Sequence, residues 1–132
     1  MGKLEYIPGD LVFFGGEKVK VVFYNPNDSN SVWIRDIEYG YRHRVLNVSL
    51  KKEISNIHLT PEILEKNGWK KDGKWYKLAT KRAYLYITKD AKVNDEFLVR
   101  VGDDKHNLAS VSFVHELQHL LFGLGLNSEM EV

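Results

Sequence analysis

Between Ser112 and Leu126 the chain reads SFVHELQHLLFGLGL, and His115-Glu116-x-x-His119 within it has the H-E-x-x-H spacing of a zinc hydrolase. Histidines four residues apart share one helix face, where two imidazoles can hold Zn²⁺ while the intervening carboxylate polarises a metal-bound water. His115 and His119 are therefore the candidate metal ligands, zinc the implied cofactor, and Glu116 the candidate catalytic residue. A catalytic zinc typically takes three protein ligands. Downstream of His119, LLFGLGLNSEMEV offers only Glu129 and Glu131, and His43, His58 and His106 lie upstream without a spacing that marks them. On a helical wheel Val111, Val114, Leu117, Leu120, Leu121 and Leu124 make one apolar stripe, with His115 and His119 roughly 150° from its centre. The stripe predicts a helix seated on a core with both histidines facing away. An incomplete ligand set leaves binding without catalysis, metal or cofactor as the leading reading, and a minimal zinc hydrolase as its alternative.

A second constellation is WIRDIEYGYRHR, which supplies Trp33, Arg35, Tyr39, Tyr41, Arg42, His43 and Arg44. Guanidinium forks bind phosphate bidentately and aromatic faces stack on bases, so these seven residues form a candidate ligand-binding site for a small anionic nucleotide. The plainer explanation is a hairpin whose outward face carries aromatic and basic residues for cross-strand pairing, partly neutralised by Asp36 and Glu38.

The third is KNGWKKDGKWYKLATKR, where Lys66, Lys70, Lys71, Lys74, Lys77, Lys81 and Arg82 are interleaved with Trp69, Trp75 and Tyr76. Nucleic acid would satisfy both residue types at once. Nineteen basic against eighteen acidic residues leave a net charge of only +1, so any anion site must be local. The balance favours a solvated lysine face with the rings packed under the last helix.

The elements that must position these residues divide at about residue 58. Residues 1–58 hold the strand-like runs LVFF, KVKVVFY, SVWIRDI and RHRVLNVSL, separated by turn formers such as Gly15-Gly16 and NPNDSN. They predict an SH3-like small β-barrel or a bent antiparallel sheet. Residues 59–132 read as an α+β lobe. Thr60 caps a short helix that starts at Pro61 and stops at Asn67-Gly68. A hairpin follows around Asp72-Gly73, expected as a type I′ turn. RAYLYIT and EFLVRV make two further strands, and GDDKHN leads into a C-terminal helix capped by Asn107 that packs on the sheet. The whole is expected to be α+β, in two lobes or one compact domain.

At 132 residues and 43% hydrophobic content, the chain can bury a core without staples, and with no cysteine it has neither disulfides nor thiolate metal sites. The start MGKLEYIPGD carries no signal-peptide core, and no run approaches the roughly 20 apolar residues of a membrane span. A cytoplasmic protein without a membrane partner is the expectation. There is no G-x-S-x-G, P-loop or dinucleotide-binding glycine motif.

Leu59 to Gly68, Trp69 to Leu78, Val114 to Leu120 and Glu129 to Val132 together resemble a pattern found in small uncharacterised proteins of Bacteroides phages, prophages and mobile elements. The resemblance covers the second half and touches the first only in style. In that pattern amides often stand at the positions of Glu116 and His119, which implies a packing helix. It implies a phage or mobile-element accessory protein in a bacterial cytoplasm and assigns no activity. The combined expectation is sequestration of a host protein or a small anionic signalling nucleotide, as in counter-defence, with nucleic-acid binding as a further alternative and a homo-oligomer able to enclose a ligand between short chains.

Overall fold

In the computed structural model, residues 6–23, 31–36, 45–49, 54–89 and 96–132 are described, and the chain divides into two compact units, Met1–Ile57 and His58–Val132. Among the described residues each is built on a five-stranded antiparallel sheet, and two helices belong to the second, so the protein is α+β with a C-terminal helix.

In the first unit Gly15 and Gly16 sit at φ 57° and 85°, the left-handed pair that a two-residue type I′ loop requires and that glycine adopts without steric cost. They join β1 (Leu11–Phe14) to β2 (Glu17–Phe23). β3 (Ser31–Asp36), β4 (Val45–Ser49) and β5 (Ile54–Asn56) complete the order β4-β3-β2-β1-β5. Tyr6, Val12, Val19, Val21 and Ile34 form the core, with Phe14 and Ile54 packed against it. The Tyr6 hydroxyl donates to Asn56 Oδ1 at 2.7 Å and ties the segment before β1 to β5. Among the described residues no ladder joins β4 to β5, so the sheet is open and not a closed barrel.

The second unit begins with α1 (Pro61–Lys66), whose Ile63 N–H donates to the Thr60 hydroxyl at 3.2 Å. The helix ends as expected, with Asn67 at the C-cap and Gly68 at φ 90°. β6 (Lys70–Asp72), β7 (Trp75–Ala79), β8 (Tyr84–Lys89), β9 (Phe97–Val101) and β10 (His106–Val111) then run as a simple meander. Leu85, Ile87, Phe97, Val99 and Val111 are buried on one side of it. Helix α2 (Val114–Gly123) follows and buries Val114, Leu117 and Leu121.

Three expectations are corrected here. The β6–β7 loop is Gly73-Lys74, because Asp72 pairs directly with Trp75; only Gly73 has positive φ, at 64°, which is the type II′ pattern. GDDKHN does not lead into a helix: Gly102 to Lys105 turn the chain, Asn107 is a strand residue paired with Arg100, and β10 is a strand absent from the expected set. α2 consequently starts at Val114, and its buried arc is wider than the predicted stripe. His115 and Gln118 are buried while Leu124 is exposed: the His115 ring stacks on Phe113, and Gln118 is tied to the segment after the helix. Gln118 Nε2 donates to the Ser128 carbonyl at 3.1 Å, and the Leu59 N–H donates to the Ser112 carbonyl at 2.9 Å.

Candidate anion-binding face

The H-E-x-x-H residues are used for packing and capping. Glu116 Oε1 accepts the backbone N–H of Ser112 at 2.7 Å and of Phe113 at 3.0 Å, satisfying donors that the start of α2 leaves open. A carboxylate folded back onto its own helix terminus is not aimed at a water held between the two imidazoles. His115 is 7% exposed rather than facing solvent, its ring stacked on Phe113 at 5.9 Å and edge-on to His119 at 5.6 Å. His58 lies 5.0 Å from Phe113 with the rings tilted, so that His58, Phe113, His115 and His119 contact one another in series. Among the described residues no three His, Asp or Glu side chains are grouped to hold a metal ion.

Of the seven residues expected to bind a nucleotide in the first unit, Trp33 and Arg35 are exposed on β3, and Tyr39, Tyr41, Arg42, His43 and Arg44 lie outside the described residues. Between Val21 and Phe23 the register with β3 shifts, so that Phe23 comes opposite Trp33 and emerges into solvent with it. Lys20 lies opposite Arg35 on the same side of the sheet.

A denser arrangement forms on the second sheet. Strand alternation separates Trp75 and Lys77 from their neighbours Tyr76 and Leu78, and the register sets Lys77 beside Tyr86 and Tyr86 beside Arg100. Trp75, Lys77, Tyr84, Tyr86 and Arg100 therefore share the face turned away from Leu85, Ile87 and Val99. Trp75 and Tyr86 meet edge to face at 6.1 Å, and Tyr84 lies 6.5 Å from Tyr86. Cations cover the rings. Lys77 Nζ is 3.9 Å from the Tyr84 centroid, Lys105 Nζ is 4.5 Å from Tyr86 and 5.7 Å from Trp75, and Arg100 and Lys74 approach Trp75 at 5.9 and 5.8 Å. Among the described residues none of these four cations has a carboxylate within ion-pair distance.

Two local features are costly for stability alone. Lys105 is the single non-glycine residue with positive φ among those described, at 52°. For an L-residue with a branched-off side chain that conformation costs roughly 1–2 kcal/mol. Arg100 Nε is buried without a hydrogen-bond partner, while its Nη1 makes only a long 3.4 Å bond to the Lys105 carbonyl. An unmet buried donor costs about 1–3 kcal/mol. Cation–π contacts return about 0.5–1 kcal/mol each at such a surface, so the two that Lys105 makes, to Tyr86 and Trp75, about match its strain, while the Arg100 donor stays unmet. Strain held at one place is the kind of outlier that points to a ligand. At the other end of the face, Lys70, Lys71, Lys77 and Tyr84 line a hollow of about 450 Å³.

The sequence marked the lysines and Trp75 but missed Tyr84, Tyr86, Arg100 and Lys105. Their signal was the period-2 pattern W-x-K, Y-x-Y and V-R-V in three separate strands, which becomes one surface only when the strands are paired. The expectation that the aromatic rings lie under α2 is corrected: Trp69 is buried in the core, but Trp75 lies on the outer face because Gly73-Lys74 sets the register. Comparison of the chain with protein-family models, with curated proteins and with solved structures finds no match.

Proposed function

We propose that the protein acts by binding, and that the outer face of its second sheet takes single-stranded nucleic acid. The observation that carries the reading is the seating of Lys74, Lys77, Arg100 and Lys105 over Trp75, Tyr84 and Tyr86 with no carboxylate partner among the described residues. Phosphates supply the missing counter-charge, and bases supply planes for Tyr84 and Trp75, the two rings that retain solvent exposure. A sheet face is open rather than enclosing, which suits a strand laid across it better than a free mononucleotide, whose sites bury most of the ligand. From the hollow beside β6 to Arg100 on β9 is three strand spacings, about 14 Å, enough for more than one nucleotide.

A second reading, capture of a small anionic nucleotide in the first unit, has the exposure of Trp33 and Arg35 opposite Phe23 and Lys20 as its support. We read that unit as SH3-like, since a four-strand meander whose first strand also pairs with the fifth has that strand order. The resemblance of the second half to phage and mobile-element proteins fits an accessory role in a bacterial host for either ligand. Fluorescence anisotropy with a labelled oligo-dT of about 12 nucleotides tests the first reading. Saturable binding that Tyr84→Ala weakens supports it, while binding lost only in Trp33→Ala transfers the function to the first unit.

A further inference from the structure

The second unit also contains a cleft of about 990 Å³ on the side of the sheet opposite the cationic face. Its floor is apolar: Trp69, Leu78, Leu85, Leu121 and Met130 line it, and Trp69, Leu85 and Leu121 are buried. Its two walls are held by their own hydrogen bonds. On one side the Thr80 hydroxyl accepts the Ala83 N–H at 3.1 Å and the Arg82 N–H at 3.4 Å and donates to the Ala83 carbonyl, fixing a tight turn with Lys81 and Arg82 at its tip. On the other, Gly125 at φ 74° redirects the chain after α2. Residues beyond it are tied back by the Asn67 side-chain amide, which donates to the Glu131 carbonyl at 2.7 Å and accepts the Glu131 N–H at 2.7 Å.

The geometry points to a second binding site, for a soluble amphipathic anion: an aliphatic body on the Trp69–Leu121 floor and a carboxylate or equivalent head between Lys81 and Arg82. Both cations line the cleft, both are exposed, and neither has a carboxylate partner among the described residues. Glu129 on the opposite lip leaves the mouth with one net positive charge, which favours a singly charged head over a phosphate diester chain. The volume lies at the upper end of the roughly 300–1,000 Å³ usual for small-molecule sites. Preformed walls mean that a ligand need not order the cleft as it enters.

Calorimetric titration of the full chain with dodecanoate, kept below its micelle concentration, tests this with dodecanol as the uncharged arm. Saturable one-to-one binding of dodecanoate is expected, about tenfold weaker for dodecanol and for the Lys81→Gln, Arg82→Gln double variant. Leu124→Trp, at an exposed position on the cleft lip, is expected to block entry, while Lys77→Gln on the opposite face leaves binding unchanged. No saturable heat, equal affinity for acid and alcohol, or undiminished binding by the Leu124→Trp protein would overturn the assignment.

Discussion

The ammonium of Lys105 lies 4.5 Å above the ring of Tyr86, and it is carried there by a backbone at φ 52° that few residues other than glycine or asparagine adopt. Glycine would adopt this conformation without strain but could make no contact with the ring. Keeping lysine holds a charge over the centre of an aromatic face at a local conformational cost.

Replacement at that position separates strain from contact. Lys105→Ala keeps the left-handed conformation and loses the cation–π contact, so it is expected to unfold about 1 kcal/mol more easily than the parent. Lys105→Gly loses the same contact but relieves the strain, partly offset by glycine's greater freedom when unfolded, and is expected within about 0.5 kcal/mol of the parent. Urea midpoints for the three proteins check the order, and an alanine variant as stable as the glycine variant would remove the strain from the account.

Stacking predicts a different pattern in binding. Tyr84 is exposed and can meet a base, so Tyr84→Ala is expected to weaken oligo-dT binding by roughly 5- to 100-fold, corresponding to about 1–3 kcal/mol per stacked base. Tyr84→Phe keeps the ring and should stay within about twofold of the parent. Anisotropy titrations of the two variants make the comparison.

Glu116 acts on the helix terminus, so its loss should be felt in stability and not in ligand binding. Glu116→Ala opens two capping hydrogen bonds and is expected to cost about 1 kcal/mol. Urea unfolding measures this, and unchanged oligo-dT affinity in the same variant separates the helix from the face. A neutral effect on stability would release Glu116 for another role.

Asn67 is the latch for the segment after α2. Asn67→Ala removes both amide bonds to Glu131, and hydrogen exchange at the Glu131 N–H is expected to accelerate roughly five- to tenfold, as for the loss of a bond worth about 1 kcal/mol. Exchange unchanged from the parent would mean that contacts elsewhere hold the segment.

The parts of this fold that were legible in the sequence are those written in local backbone chemistry. Thr60-Pro61 with Asn67-Gly68 marked both ends of α1, and Gly15-Gly16 marked the first hairpin, because capping and left-handed turns depend on a few adjacent residues. β10 was hidden for the same reason in reverse. HNLASV has no marked alternation, and Asn107 is as suitable for a helix cap as for an edge strand until Arg100 is seen paired across from it and Leu98 across from Ser110. His115 was misplaced because a wheel finds one apolar face and cannot show the ring of Phe113, just before the helix, against which His115 is stacked. The cationic face was invisible as a unit: Trp75, Tyr86 and Arg100 come from three strands, and only the register sets them side by side.

Salt dependence is the sharpest test of nucleic-acid binding by this face, because ring stacking alone carries almost none. With Lys74, Lys77, Arg100 and Lys105 each releasing a counterion, oligo-dT affinity plotted against salt on logarithmic axes should fall with a slope of about −3, and the slope should shrink by about 0.7 in Lys77→Gln and again in the Lys77→Gln, Lys105→Gln double variant. A slope near zero, or one unchanged by both substitutions, would contradict a nucleic-acid site on this face.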